Sequence, residues 1–84
     1  MYKITVVVSK HGRGNEALSV SYFGEDIEKV KEDVHDIALS TAEKIKASGR
    51  VTIGIIVEKH GKYYDSDMTD AIISEDFKNI TYKL

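Results

Sequence analysis

The stretch between Gly24 and Gly49 constrains this chain most, because its apolar residues recur at steps of three and four. Successive residues of an α-helix are about 100° apart, so this spacing places the side chains on one stripe, as in a helix that packs on a core. The stripe consists of Ile27, Val30, Val34, Ile37, Ala38, Thr41 and Ile45. The sequence therefore predicts one long amphipathic helix over residues 25–48, with a length of about 36 Å.

Residues at both ends of this stretch suit the ends of a helix. Gly24 suits the N-cap, and Glu25 and Asp26 would place negative charge at the positive end of the helix dipole. Gly49 suits the left-handed position that follows a helix. Leu39 is predicted to lie opposite the stripe, where it is either a single exposed leucine or a contact for a partner.

The composition is that of an ordinary globular domain. The chain has 84 residues, of which 42% are hydrophobic and 31% charged, and it contains no cysteine. We therefore expect a single domain, residues 1–84, with a small core, without disulfides or thiolate metal sites. No segment resembles a signal peptide, and no apolar run is long enough to span a bilayer. These features predict a cytoplasmic protein without membrane contact and without a cofactor.

Alternating and β-branched residues around the predicted helix favour antiparallel strands. The predicted strands are residues 2–9, 16–23, 50–58 and 62–66. Turn residues lie at 10–15 and 59–61. The sequence thus predicts an α+β fold, in which an antiparallel sheet of about four strands packs on one long helix in the order ββαββ.

The C-terminal ten residues fit two structures. Ser74, Glu75 and Asp76 suit the beginning of a short helix or a turn. Ile80-Thr81-Tyr82 instead favours an edge strand, because these residues have high β propensity. The predicted fold therefore ends in a short C-terminal helix or edge strand.

Two parts of the chain resemble each other at an offset of 49 or 50 residues. Residues 4–13 align with residues 53–62, and both contain Lys-His-Gly. Residues 23–30 align with residues 73–80, and both contain Glu-Asp. Each copy would be a hairpin followed by a helix. The alternative is that the likeness reflects only the turn chemistry that β-hairpins share.

The face of the sheet that one helix cannot cover is the first candidate site. Val7 and Ile56 are expected there, at equivalent positions of the repeat, and Tyr63 or Tyr64 would add an aromatic ring. Such apolar patches often serve self-association. With Leu39 as a further contact, the sequence predicts a small non-enzymatic protein-interaction or regulatory module, whose partner is another protein or a second copy in a homodimer.

Cations at the two hairpin tips favour an alternative, which is binding of nucleic acid or phosphate. These residues would form one basic end if the tips lay side by side. They are Lys10, His11, Arg13, Lys59, His60 and Lys62. No aromatic residues interleave with these cations, so this alternative ranks second.

Catalytic and metal-binding patterns are weak in this sequence. The three histidines show neither His-x-His nor His-x3-His spacing, and a metal site needs further ligands at fixed distances. Asp65, Asp67 and Asp70 alternate like the start of a calcium loop, but the glycine and glutamate that such a loop requires are missing. We interpret this segment as a solvated acidic turn, and we predict no enzyme activity and no metal.

Overall fold

The computed structural model describes residues 1–10 and 16–82, which form five strands and two helices. The strands are β1 (Tyr2–Lys10), β2 (Ala17–Gly24), β3 (Gly49–Lys59), β4 (Lys62–Ile73) and β5 (Ile80–Tyr82). The helices α1 (Ile27–Glu32) and α2 (Val34–Lys44) lie between β2 and β3 in the chain. All neighbouring strands pair antiparallel, in the order β2-β1-β3-β4-β5. The protein is therefore mostly antiparallel sheet with two short helices.

The core lies between the helices and one face of the sheet. Helix α2 packs on β1 and β2, and α1 packs on β2. Alternate residues of the strands point into this layer, as the period of two requires. The buried apolar residues are Ile4, Val6, Val8, Val30, Val34, Ala38, Ala42, Ala47, Val51, Ile53, Val57, Ala71 and Ile73. This core is built from small and β-branched side chains, which pack well on a pleated surface.

The prediction of one long helix is wrong, because the helix breaks at Asp33. In an unbroken helix, the Val30 carbonyl would accept a hydrogen bond from the N–H of Val34. Here the Val30 carbonyl accepts from the Tyr22 hydroxyl at 2.8 Å and from the N–H of Asp33 at 3.3 Å. The Asp33 side chain makes no capping hydrogen bond at the start of α2. The hydrogen bond from Tyr22, on β2, thus ends α1. The spacing of apolar residues in the sequence does not reveal this contact.

The helix ends also differ from the sequence prediction. The N-cap is Asp26, whose carboxylate accepts from the N–H of Glu28 at 3.0 Å, and not Gly24. Helix α2 ends before Lys46, which has a φ of 52°. The N–H of Ala47 bonds the Ala42 carbonyl at 2.9 Å, as in a Schellman motif. Lysine therefore occupies the left-handed position that the sequence analysis assigned to Gly49.

Strand β4 is twice as long as predicted, because it continues through the acidic segment to Ile73. Aspartate is depleted in strands, so the sequence suggested a turn there. In the structure Asp67 pairs with Ile55, and Asp70 pairs with Thr52. The interpretation of residues 65–70 as an acidic turn is wrong.

In the second half of the chain, as far as Tyr82, the structure has no counterpart of the helices. Ser74 instead organises a turn, in which its hydroxyl accepts from the N–H of Asn79 at 3.0 Å. Asp76 accepts from the N–H of Lys78 at 3.2 Å, much as Asp26 does at the start of α1. The chain then returns as β5 along the end of β4. The two copies of the Glu-Asp pair therefore make the same capping hydrogen bond, but only the first copy begins a helix.

Replacing Tyr22 with phenylalanine tests the contact that breaks the helix. We expect Tyr22→Phe to lower the free energy of unfolding by about 1 kcal/mol, because the hydroxyl bonds a half-buried carbonyl. The measurement is urea denaturation, with Tyr64→Phe, at an exposed tyrosine, as the control. Equal stability of both variants would contradict this account.

The same variant changes the alkaline limit of stability. Burial, and then the Asp33 carboxylate, raise the pKa of Tyr22 above its ordinary 10.0. The folded state therefore holds this proton more tightly than the unfolded chain does. This contribution is complete below pH 10 and is lost as the pH rises through the folded pKa. Tyr22→Phe should flatten the decline of stability above pH 10.

Lys46 offers a stabilising substitution. Because a left-handed conformation is unfavourable for residues with a Cβ, we expect Lys46→Gly to raise the free energy of unfolding by about 1 kcal/mol. The matched control is Lys44→Gly, which lies within α2 and should lower it by about 1 kcal/mol. Thermal denaturation of both variants measures the difference. Destabilisation by both changes would refute the left-handed cap.

Candidate interaction surface

The face of the sheet opposite the helices carries most of the exposed apolar side chains. We call it the open face. Of the eight large apolar residues that are exposed in the described part of the chain, five lie on it. They are Phe23, Ile56, Tyr63, Met68 and Ile72. Ile56 and Met68 adjoin Val7 in the middle of the face, and contiguous apolar exposure marks interaction sites more often than scattered single residues do.

The register of the strands arranges this face in rows. In one central row, Val7 lies opposite Gly54, and Gly54 lies opposite Met68 on the next strand. In the adjacent row, Thr5 lies opposite Ile56, which lies opposite Ser66. Strand β2 adds Ser19 to the first row and Ser21 to the second. These two rows, which we call the central rows, contain only apolar residues, hydroxyl residues and glycine.

Gly54 makes a hollow in the middle of the open face. A Cβ atom added there would lie 3.9 Å from the Cβ of Val7, which is an ordinary contact, so the backbone does not exclude a side chain. The resulting depression has a volume of about 530 Å³, and Val7, Ile56 and Met68 line it. Glycine inside a strand often marks a place where another molecule approaches closely.

Charged residues of the open face stand at its two ends. Lys3 lies opposite Glu58 at one end, and Arg50 and Asp70 lie on β3 and β4 near the other. The central hydroxyls bond each other: Thr5 and Ser21 are 2.9 Å apart, oxygen to oxygen. Hydroxyls that already have partners lose less on removal from water. The middle of the face can therefore be buried at low cost.

The outer edge of β4 is protected against pairing with another strand. The Asp65 carboxylate accepts from the N–H of Ser66 at 2.9 Å, and the Asp67 carboxylate accepts from the N–H of Met68 at 2.8 Å. Strand β5 covers only residues 71–73. Local satisfaction of N–H groups and negative charge both discourage edge-to-edge association. The acidic residues of β4 thus disfavour pairing of another strand along this edge.

The structure brings three of the four predicted partner contacts together. Val7, Ile56 and Tyr63 share the open face, and the Tyr63 hydroxyl lies 3.0 Å from Ser66 Oγ, beside Ile56. Leu39 is half-buried and packs against the core on the helix side. It does not lie opposite the buried face of α2, because that face includes Ala42 as well as Ala38.

Tyr64 turns away from these residues and stacks edge-on against Tyr2, with ring centroids 5.5 Å apart. Sequence reasoning missed Gly54 and Met68. The alternation of Ser66, Met68, Asp70 and Ile72 could have indicated Met68, had the strand been extended beyond residue 66.

The basic residues of the alternative prediction do not meet at one end. Lys10 pairs with Val51 at one end of β1, whereas Lys59 pairs with Tyr2 at the other. The length of β1 separates them, which is about 27 Å. Lys10 forms an ion pair with Glu16 at 2.8 Å, and Lys59 Nζ lies 5.4 Å from the Tyr2 ring centroid. His11 and Arg13 fall outside the described residues.

His60 and Lys62 belong to the tight turn between β3 and β4. His60 and Gly61 have φ values of 52° and 77°, as a two-residue type I′ hairpin turn requires. Lys62 is exposed and lies opposite Lys59 in the register. Turn geometry therefore accounts for the Lys-His-Gly motif here.

A second depression lies on the helix side, where the helices leave β4 uncovered. Its lining includes Lys31, His35, Asp65, Asp67 and Tyr82, and its volume is about 320 Å³. Within residues 1–10 and 16–82, no three histidine, aspartate or glutamate side chains are grouped to hold a metal ion. Lys31, Asp65 and Asp67 make the lining of this cleft charged, whereas the hollow of the open face has one charged lining residue, Asp67.

Comparison with protein-family models, curated proteins and solved structures gives no match for this chain. Among the described residues, no helix is both long and apolar enough to cross a membrane.

Gly54→Ala tests whether the hollow is free space. We expect this variant to fold and to gain about 0.5 kcal/mol in stability, because alanine restricts the unfolded chain and its Cβ fits. The control is Gly61→Ala, at a φ of 77°, which should be destabilised. Urea denaturation of both variants is the measurement. A loss of stability in Gly54→Ala would mean that the hollow is not available.

Proposed function

We propose that this protein is a non-enzymatic interaction module that binds a protein partner through the open face of its sheet. The observation that carries the proposal is the uncharged centre of that face. Val7, Gly54, Ile56 and Met68 meet there, flanked by hydroxyl residues that already bond each other. Depletion of charge at the centre, with a polar rim, is the composition of protein–protein interfaces.

The exposed side chains on this face suit an interface. Met68 is 73% exposed and Tyr63 is 70% exposed, so both side chains are available to a partner. Methionine adapts its shape to a partner, and tyrosine is enriched in interface cores. Phe23 adds a second ring at the same end of the face as Tyr63.

Binding through the face is favoured over binding through the edge of β4. The carboxylates of Asp65 and Asp67 occupy the N–H groups that an added strand would need. Nucleic-acid or phosphate binding loses its geometric support, because Lys10 and Lys59 lie at opposite ends of β1. A protein partner on the open face is the function that this arrangement supports best.

Site-specific photo-cross-linking tests the proposal. A photoreactive phenylalanine analogue at position 68 should form cross-links to a protein partner, and Ile56→Asp should abolish them, since a charge in the central rows must be desolvated. The same analogue at Glu43, exposed on α2, is the positional control. The readout is the shifted band in cells that produce the protein.

Cross-links that form from position 43 and not from position 68 would overturn the proposal. So would cross-links from position 68 that survive Ile56→Asp. Lys29→Asp, on the exposed side of α1, is the matched charge variant and should leave the cross-links unchanged.

A further inference from the structure

Building on the proposed function, we infer that the occupant of the open face is a second copy of this chain, related by a two-fold axis that runs parallel to the strands between β1 and β3. In this arrangement β1 of one copy lies over β3 of the other, and β2 lies over β4. The strand order β2-β1-β3-β4 makes this overlap symmetric. Two-fold pairs of identical surfaces are the commonest form of soluble oligomer.

The shape of the central rows fits this axis. Val7 lies directly opposite Gly54 in the register, so the axis places Val7 over Gly54 of the second copy. The largest apolar projection of β1 thus meets the hollow that glycine leaves. Met68, on β4, comes over Ser19 of the second copy, which is a small residue. In this row each apolar protrusion therefore meets a small residue, as interdigitating sheets require.

The charges at the end of the face fit the same axis. Lys3 lies opposite Glu58 within one copy, and among the described residues the two form no ion pair. The axis brings Lys3 over Glu58 of the second copy, so that two lysines and two glutamates alternate in sign. Long lysine side chains can follow the small crossing angle that sheet twist imposes. Phe23 and Tyr63 come together at the same end.

The area of overlap is sufficient for a specific dimer. Four strands are about 19 Å wide, and eight residues of strand are about 27 Å long. From this flat area alone, without the added surface of projecting side chains, two copies would together bury about 1,000 Å². This area reaches the lower range of specific interfaces. Self-association also suits a domain of 84 residues, because a core of this size stabilises it only modestly.

A two-fold axis across the strands is the main competitor. It would place Ile56 over Gly54 of the second copy, so it also fills the hollow. However, it would place Lys3 over Ser9 and Glu58 over Thr52, and the charges would gain no partners. The two arrangements therefore differ in how they respond to charge changes at residues 3 and 58.

A charge-swap cycle, measured by sedimentation equilibrium, tests the arrangement. Lys3→Glu alone creates four adjacent glutamates in the proposed dimer, and we expect it to raise the dimer Kd by at least about 10-fold at low salt. The double variant Lys3→Glu with Glu58→Lys restores alternating signs and should return the Kd to within about 3-fold of the original. Lys29→Glu, with the same change in net charge but on α1, is the control.

A second variant separates the interface from the fold. Gly54→Val fills the hollow with a residue that strands favour, so it should keep the protein folded and yet shift it to monomer. The folded state is checked by the dispersion of the amide NMR spectrum. A Gly54→Val dimer as tight as the original would overturn the inference.

The outcomes distinguish the inference from the function on which it rests. A wild-type monomer at about 1 mM overturns the second copy as occupant. Cross-links from position 68 to a different protein would then leave the proposed function standing. A dimer that Gly54→Val breaks but Lys3→Glu does not weaken overturns the axis parallel to the strands and favours the axis across them.

Discussion

The register between β1 and β3 is the constraint on which the rest of this structure depends. Ile4 pairs with Val57, Val6 with Ile55, and Val8 with Ile53, so the two central strands bury their large side chains together. If one of these strands shifted by one residue, all of its buried side chains would point to the opposite face of the sheet. The same register fixes Val7 opposite Gly54. The core and the hollow of the open face are therefore set by one pairing.

The hydrogen bond from Tyr22 to Val30 decides how the helices cover this sheet. By taking the Val30 carbonyl, it lets the chain break at Asp33, with α1 packed on β2 and α2 packed on both β1 and β2. One straight rod of about 36 Å would extend beyond strands of about 27 Å. The helical stretch instead begins at Ile27 and ends at Lys44, which is about 27 Å and matches those strands. On the helix side of β4, Ala71 and Ile73 are buried, whereas Asp65 and Asp67 are exposed.

The two halves of the chain resemble each other in their paired strands, β1–β2 and β3–β4, and not in their helices. The offset of 49 relates Val7 to Ile56 and Thr5 to Gly54. It therefore relates the cross-strand pair Val7–Gly54 to the cross-strand pair Ile56–Thr5. The sheet thus has an internal near-symmetry about its normal. Between Gly49 and Tyr82 the chain forms no helix, because the turn around Ser74 leads directly into β5. The similarity in sequence therefore reflects equivalent strand register and similar turn residues in the two halves.

The sequence by itself determined the first three strands, the helical character of residues 27–44 and the placement of Val7 and Ile56 on one face, because periods of 2 and 3.6 are local properties. Tertiary structure decided the break at Asp33, the extension of β4 through Asp65, Asp67 and Asp70, and the separation of Lys10 from Lys59. Each of these depends on a partner distant in sequence, namely Tyr22 or strand β3. Residue propensities carry no information about such partners, so Gly54 and Met68 became visible as one surface only after the strands were paired.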